Sequence, residues 1–539
     1  MSHVHAGASA PSRWTAAAHA LSETFPRTNA ASWRYDLAAA VCCVSVLVAA
    51  LVAGHFHRVG NFGVESDFYA TYAVQAKNLM AGKPYTFMHH PPGYPLLLAA
   101  VSSVTGDLFL AGKLISAFSA ALLGWVAYLL LKALFGRRVA FAATALTMLR
   151  LAPFSFLAAT DVVGALLMTL PIWVLLRRPR LTWTSCFLGG VVAGVAYLVR
   201  ANGIFVVAGL GGAVLCVNLN HEPVSRRAGR AALFACGALL VTLHWFLMNW
   251  KLHGSPFAST EYLQIGAHFF GTINDALGTS LAEAETKFHS LWDVVSLDPL
   301  GMAGSYLNSV LNDYPRELAS HALMFPAYVF VGIGALLVLT RLSRRRRIFL
   351  GVYALGYLLL GLAGFQLRLY FFLFPVLFVF AAYALLHHSA SRALGRSPLR
   401  NVAVSWLMVA LLAGALAVNA AREIGRTLRS DPVYLFPIAA FLRSHASPDT
   451  VVIAQKPHLA YLAGMRWTFP MAQSAEEFLE KARELGARYV VYSDREASLW
   501  RGLKSLRDPG ALPAGLTVIY RHDPSHTLIY EVDAAREPS

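Results

Sequence analysis

The chain has 539 residues, a length that in a soluble protein would suggest roughly three or four domains of about 150 residues each. Its composition excludes that class: 57% of the residues are hydrophobic and 14% charged, against about 45–50% and about 25% in ordinary globular proteins. The net charge of +16 does not indicate nucleic-acid binding, because the basic excess lies between apolar stretches of residues 1–420. We therefore predict an integral membrane protein.

Apolar stretches of about 17–25 residues, the length that crosses a bilayer, recur along the first 420 residues. The expected fold is an all-α polytopic membrane protein with about eleven transmembrane helices. The predicted spans start near Asp36, Leu110, Val139, Asp161, Thr184, Gly203, Ala231, Ala322, Ile348, Leu369 and Asn401.

Basic residues fall in alternate turnarounds between these stretches, namely 132–138, 177–180, 226–230, 341–347 and 392–400. The positive-inside rule places these turnarounds, and the N-terminal tail, on the inner face. Because the number of predicted spans is odd and the N-terminus is inside, the C-terminus is expected outside. The predicted location is a multi-pass protein of the cell inner (cytoplasmic) membrane.

This orientation divides the chain into three parts. Residues 1–35 form a cytoplasmic tail, and residues 36–420 form the transmembrane domain with long outer loops at 55–109 and 250–320. Residues 421–539 read as a small extracytoplasmic α/β domain, because β-branched apolar runs alternate with amphipathic helical patterns. We interpret it as a covering or acceptor-docking module, with a purely structural role as the alternative.

The first outer loop carries an unusual group of polar residues. Glu65 and Asp67 precede a helical pattern with one apolar face, which predicts a helix lying flat at the membrane surface. Carboxylates at that depth suit an enzyme whose donor is a lipid-linked phosphate. The alternative is that one of them caps the helix. His89 and His90 follow; they are interpreted as interface residues or, with Asp161, as ligands of a divalent metal.

A second polar set lies where predicted spans reach the outer surface. Asp161 opens the fourth span, where a lone carboxylate is costly without a partner, although it could simply cap that helix. Arg150, Arg200 and Arg368 interrupt apolar sequence at outer span ends. They either extend to ordinary lipid phosphates or converge to bind a phosphate leaving group, which guanidinium binds bidentately.

The pattern resembles the polytopic GT-C glycosyltransferases that use polyprenyl-phosphate sugars, such as protein O-mannosyltransferases and the aminoarabinose and galacturonosyl transferases of lipid A. Those enzymes have an acidic motif after the first span, four residues ahead of an aromatic, then a short helix, a glycine and a His-Pro-Pro-like turn. The matching residues here are Glu65, Tyr69, Gly82 and His90-Pro91-Pro92. The family usually has Asp at the position of Glu65, whereas here Ser66 follows and Asp67 comes next.

The resemblance extends to Asp161, Arg200, the segment 249–257 and the run Arg368-Leu369-Tyr370, and it covers most of residues 36–420. It implies a polyprenyl-phosphate sugar donor, a lipid, glycan or protein acceptor, and an inverting transfer outside the membrane. Membrane lipids would be the other partners, and no nucleic acid is expected.

The resemblance also implies roles for individual residues. Asp67 or Glu65 would be the general base and Asp161 a third catalytic carboxylate that positions the acceptor or coordinates metal. The expected substrate-binding residues are Lys83, His89, His90, Tyr94, Arg150, Arg200, Arg368 and Tyr370. No cofactor is required by the sequence, and a divalent metal stays an open alternative. Two rival functions remain, a secondary transporter or lipid-linked-sugar flippase, and a membrane scaffold that displays the C-terminal domain.

Overall fold

The computed structural model describes residues 33–85, 90–271, 284, 286–340, 342–386, 398–470, 475–494, 496, 506–508 and 512–533. The helices of the first part are α1 (Trp33–Phe56), α2 (Ala73–Met80), α3 (Gly93–Thr105), α4 (Leu108–Phe135), α5 (Arg137–Leu151), α6 (Asp161–Leu176), α7 (Trp183–Val199), α8 (Ile204–Cys216), α9 (Val224–His253), α10 (Glu261–Phe270), α11 (Leu291–Leu297), α12 (Pro299–Asn308), α13 (Tyr314–Glu317), α14 (Ala327–Leu339), α15 (Arg344–Leu360), α16 (Phe374–Leu386) and α17 (Pro398–Arg429).

A helix lies close to each predicted span. Within the described residues, five helices are long and apolar enough to cross a membrane, and a sixth crossing results if the segments Pro299–Leu323 and Ala327–Leu339, bent by 118°, count as one span. Others, such as α6 and α7, are apolar but shorter. The polytopic helical architecture is confirmed, whereas the number eleven stays a prediction.

Several helices change to 3₁₀ geometry at one end of the bundle. Such segments occur at Ala152–Phe154, Ala201–Gly203 and Leu367–Leu373, next to α5, α7 and α16. Irregular backbone at membrane depth is tolerated where protein or a polar cavity satisfies its hydrogen bonds. These segments carry or adjoin the polar residues that the sequence singles out.

Arginines close the opposite end of the bundle. Arg346 donates from Nε to the carbonyl of Leu134 at 3.0 Å, and Arg345 donates to the carbonyl of Leu176. These carbonyls lie in the last turns of α4 and α6, where helix carbonyls lack intrahelical partners. Three of the basic turnarounds predicted to share the inner face, those at 132–138, 177–180 and 341–347, therefore meet at one end of the structure.

The C-terminal domain is built around a five-stranded sheet of order β2-β1-β3-β5-β4. Strands β1, β2 and β3 are parallel, whereas β5 runs antiparallel to both β3 and β4. This small α/β domain agrees with the predicted fold class. Its elements are α18 (Leu435–His445), β1 (Val451–Ile453), α19 (His458–Ala463), β2 (Arg466–Thr468), α20 (Ala475–Glu484), β3 (Ala487–Tyr492), β4 (Leu516–His522) and β5 (Thr527–Val532).

Small residues allow α7 and α9 to cross closely. An added Cβ at Gly190 of α7 would stand 1.9 Å from the carbonyl oxygen of Phe234, and one at Gly194 would stand 2.7 Å from that of Ala238. Any larger side chain there forces the two helices apart. This contact fixes the middle of α7, and Arg200 follows the last residue of that helix.

We predict that Gly190→Ala lowers the free energy of unfolding by about 1–3 kcal/mol, the usual cost of overpacking. Gly212→Ala on α8 is the matched control, because nothing lies within 4 Å of the added methyl group there. Thermal unfolding of the two variants in detergent tests this. Equal melting midpoints would contradict the close crossing.

Candidate active site

Asp67 and Arg368 form an ion pair across the outer end of the bundle. Asp67 precedes a π-helical turn (Phe68–Tyr72) that leads into α2, and its Oδ2 accepts from Nη1 of Arg368 at 2.8 Å. The Asp67 side chain is 42% exposed and that of Arg368 26%. Gln366 holds the guanidinium from the other side, with its Oε1 accepting from Nε at 3.1 Å. A substrate can therefore reach this pair.

Asp161 and Arg200 form a second pair, which is buried. Asp161 is the first residue of α6, and Nη1 of Arg200 lies 2.7 Å from its Oδ1. The same nitrogen donates to Oγ1 of Thr160 at 2.6 Å, and Gly164 leaves room for the arginine stem. Among the described residues, neither Asp161 oxygen receives a well-directed hydrogen bond. The attraction is thus ionic, and Asp161 keeps acceptor capacity unused.

The two pairs belong to one cluster. The carboxylates of Asp67 and Asp161 both act electrostatically on Arg368. Tyr72 lies among them, because its hydroxyl is influenced by Asp67, Arg200 and Asp161. Burial, followed by the negative charge of Asp67, raises the pKa of Tyr72 above its usual value. We call Asp67, Tyr72, Asp161, Arg200 and Arg368 the acid–arginine cluster.

Glu261 approaches the cluster from the second outer loop. It opens α10, and burial raises the pKa of its carboxyl while the Arg200 guanidinium opposes that shift. Glu261 was not among the residues predicted from the sequence. Its only signal is an acidic residue at a helix start shortly after the entry segment 249–257, which is indistinguishable from ordinary helix capping.

Glu65 is placed differently from Asp67. Its side chain is 0% exposed. Oε2 accepts from the backbone N–H of Asn61 at 2.8 Å and lies 2.7 Å from Nε2 of His57, while Oε1 accepts from the N–H of Ala158 at 2.7 Å. A carboxylate enclosed in this way cannot meet an acceptor substrate, so the interpretation of Glu65 as an alternative base does not fit its surroundings.

Two other first-loop residues, His90 and Tyr94, border the cluster. Rings of His90 and Tyr94 lie 5.1 and 5.0 Å from the ring of Tyr72. The carbonyl of His90 accepts from the Tyr85 hydroxyl at 2.6 Å, which fixes the turn before α3. Tyr94 is fully buried, and Lys83 is exposed.

Arg150 does not join the cluster, contrary to expectation. Its guanidinium is buried and lies 3.2 Å from Glu423 of α17. It also donates to the carbonyls of Ala322 at 3.1 Å and His321 at 2.5 Å. With its donors engaged by protein, Arg150 joins α5, α17 and the segment before α14, and no phosphate-binding role follows from this position.

Tyr370 follows Arg368 but points into packed aromatic side chains. It is fully buried and stacks on Phe365 at 5.2 Å, with Tyr314 and Tyr357 nearby. Its place in the 3₁₀ segment anchors the turn that presents Arg368. A direct contact between Tyr370 and substrate is not supported by this arrangement.

The described residues offer no ligand set for a divalent metal. No group of three or more His, Cys, Asp or Glu side chains is arranged to hold one within the described part of the chain. Asp161, one of the candidate ligands, already faces Arg200, and His89, another of them, lies outside the described residues. The acid–arginine cluster does not fit a cation site, because its two carboxylates are matched by two guanidinium groups.

We predict that Arg200→Met destabilises the protein markedly, by about 3–5 kcal/mol, because it leaves Asp161 buried without its counter-ion. Adding Asp161→Asn to that variant restores much of the loss, since the uncompensated charge disappears. Thermal unfolding in detergent measures both, with Arg507→Met as the control because that residue pairs with Asp494 at the surface. If the single and double variants melt alike, the buried pair is not the cause.

Residues 89–250 match a protein-family model described as dolichyl-phosphate-mannose-protein mannosyltransferase. The chain has no match among curated proteins. Among solved structures, the archaeal oligosaccharyltransferase AglB from Archaeoglobus fulgidus, in complex with an inhibitory peptide and a dolichol-phosphate, has a TM-score of 0.54 at 14% identity and covers 85% of this chain and 70% of that chain.

Two further solved structures are similar. The oligosaccharyltransferase of Archaeoglobus fulgidus tethered with an acceptor peptide has a TM-score of 0.56 at 16% identity, covering 90% of this chain and 74% of that one. ArnT from Cupriavidus metallidurans in the apo state has a TM-score of 0.55 at 14% identity, covering 91% and 97%. These likenesses confirm the expected fold. The indication of a glycosyltransferase comes from the family-model match over residues 89–250.

Proposed function

We propose that this protein transfers a sugar from a polyprenyl-phosphate donor to a hydroxyl or amine of a lipid, glycan or protein acceptor, on the extracytoplasmic side of the bacterial inner membrane. The observation that carries the proposal is the convergence of Asp67, Asp161, Arg200 and Arg368, from four distant segments, on one end of the bundle. Carboxylates and guanidinium groups together match an acceptor that must lose a proton and a leaving group that is a phosphate.

The donor phosphate binds at Arg368 in this proposal. Guanidinium groups bind phosphate bidentately, and Arg368 is partly exposed while Arg200 is held by Asp161 and Thr160. The complex of AglB with dolichol-phosphate supports a lipid phosphate as the ligand of this fold. A phosphate that engages Arg368 competes with Asp67 for the guanidinium and so releases the Asp67 carboxylate when the donor is present.

Asp67 then acts as the general base. It accepts the proton of the acceptor O–H or N–H while the acceptor attacks the anomeric carbon, and the bond from that carbon to the carrier phosphate breaks with its electron pair on the phosphate oxygen. Proton removal of this kind contributes about 10²–10⁴-fold. Because a single displacement occurs, the anomeric configuration inverts. Asp161 and Glu261 orient the acceptor from the opposite side.

The distribution of charge supports the proposed side of the membrane. Arg345 and Arg346 lie at the end of the bundle opposite the acid–arginine cluster. If positive residues face the cytoplasm, the cluster and the C-terminal domain are extracytoplasmic. This orientation gives the site access to envelope acceptors.

We predict that Asp67→Asn reduces sugar transfer by at least 10²-fold while binding of undecaprenyl phosphate is retained or strengthened, because Arg368 loses its competitor. The assay uses purified protein in proteoliposomes, a panel of radiolabelled undecaprenyl-phosphate sugars and a bacterial envelope extract as the acceptor source. Asp494→Asn, an exposed carboxylate of the C-terminal domain, is the matched control. Full activity of Asp67→Asn would remove the assignment of the base.

We predict that Arg368→Gln weakens binding of undecaprenyl phosphate by roughly 10–100-fold, the loss expected for a hydrogen bond to a charged group. Arg368→Lys should recover only part of it, since an ammonium lacks the planar fork. Arg507→Gln serves as the surface control. The same assay separates the rival function, because a flippase would move the donor between leaflets with its sugar–phosphate bond intact, whereas a transferase consumes it.

A further inference from the structure

Glu65 lies between the two segments that carry the catalytic carboxylates. One of its oxygens accepts from the N–H of Asn61, in the loop that leads to Asp67, and the other accepts from the N–H of Ala158, three residues before Asp161. A single side chain therefore spans the gap between these segments. The distance between Asp67 and Asp161 depends on that bridge.

His57 and Asp431 extend the bridge into the C-terminal domain. Nε2 of His57 lies 2.7 Å from Glu65, and its Nδ1 lies 3.8 Å from Asp431, with both side chains buried. Asp431 lies two residues after the end of α17 and accepts from the backbone N–H groups of residues 58, 59 and 60, at 2.6, 3.1 and 2.8 Å. We call Glu65, His57 and Asp431 the carboxylate bridge.

Burial explains why the bridge is rigid. Two carboxylates out of water are costly unless hydrogen bonds satisfy them. Here the backbone N–H groups of residues 58, 59, 60, 61 and 158, together with the imidazole, supply those bonds. Gly60 has φ +104°, and a Cβ there would stand 3.1 Å from Glu65, so the loop can close around the carboxylate only with glycine.

The C-terminal domain also holds the first loop through α19. Nε2 of His458 lies 3.2 Å from the carbonyl oxygen of Asn61. The ring of Tyr461 lies 5.0 Å from that of Tyr69, and Nζ of Lys77 lies 3.9 Å from the centroid of Tyr461. The domain thus contacts the loop on both sides of Asp67.

We propose that Glu65 is a positioning residue: through the carboxylate bridge it fixes the spacing of Asp67 and Asp161 and makes the C-terminal domain part of the active-site framework. This rests on the proposed function for the identity of the reacting carboxylates. The bridge itself is a property of the fold. It gives the domain a role other than covering the site or docking the acceptor.

The relative sugar-transfer activities of two variants at Glu65 test the proposal. In Glu65→Gln the amide oxygen still accepts from the N–H of Ala158 and only the acceptor for Asn61 is lost, so sugar transfer falls only about tenfold. Glu65→Asp is too short to join both segments, so transfer falls about a hundredfold. In both, kcat falls and KM for the undecaprenyl-phosphate sugar is unchanged. A catalytic base would give the reverse order, because Asp keeps an ionisable carboxylate and Gln does not. That reversed order would overturn the proposal.

Hydrogen exchange of the full-length protein in detergent provides a readout independent of activity. Asp431→Asn should accelerate amide exchange in peptides covering residues 57–67 and also 155–162, since the bridge connects them. Asp494→Asn, an exposed carboxylate in the same domain, should leave both unchanged. Unchanged exchange at 155–162 in Asp431→Asn would contradict a connected bridge, and an equal effect of both variants would show only general loosening.

The two proposals fail separately. If the wild-type protein consumes no sugar in the panel, the proposed function is wrong, while the exchange experiment still decides whether the bridge links the two segments. A second outcome is that the wild-type protein is active, Asp67→Asn is inactive, and Glu65→Asp transfers sugar faster than Glu65→Gln. In that case the proposed function stands and the positioning role is wrong. Glu317→Gln is the control for replacing a glutamate as such, because Glu317 is an exposed residue of the predicted outer loop.

Discussion

Ion pairs between remote segments organise one end of this membrane protein. A carboxylate at the edge of the apolar region is costly alone, so Asp67 and Asp161 each require a cation. The chain supplies Arg368 from the turn before α16 and Arg200 from the end of α7. Because each pair joins parts of the chain that are far apart in sequence, satisfying the charges also brings the outer ends of the helices together around one site.

The two pairs differ in a way that suits separate tasks. Asp67 and Arg368 are partly exposed, so a phosphate can displace the carboxylate and a substrate proton can reach it. Asp161 and Arg200 are much less exposed, so protein rather than solvent fixes their positions. Preorganised charge of this kind is where electrostatic stabilisation of a transition state is usually largest. Glu261 adds a third carboxylate, and partial burial raises its pKa while the Arg200 guanidinium opposes that shift.

Rigid support comes from groups that never touch substrate. The carboxylate bridge uses backbone amides as donors, and such donors cannot rotate away as side chains can. This arrangement explains why two acidic residues only two positions apart, Glu65 and Asp67, have opposite surroundings. It also gives a physical reason for the C-terminal domain to pack on the first loop, where Val59 joins the apolar cluster of α18 and α19.

The sequence by itself determined the class of protein, the positions of the apolar helices, the α/β character of the tail and most members of the acid–arginine cluster. Hydropathy and isolated charges at span ends are local properties, and local properties can be read from a chain. Which side chains contact each other is not a local property, because the partners are far apart in the sequence. Only the tertiary structure decided that Arg150 serves Glu423, that Tyr370 is packed among aromatic rings, and that Glu261 approaches Arg200.

The different surroundings of Glu65 and Asp67 show most clearly why the tertiary structure was needed. Both are acidic, both follow the first span, and the family pattern aligns with the first of them. Their roles separate through donors supplied by Ala158 and by Arg368, which lie 93 and 301 residues away along the chain. A carboxylate becomes a structural bridge or a reachable base according to which groups surround it, and that is fixed by packing rather than by spacing.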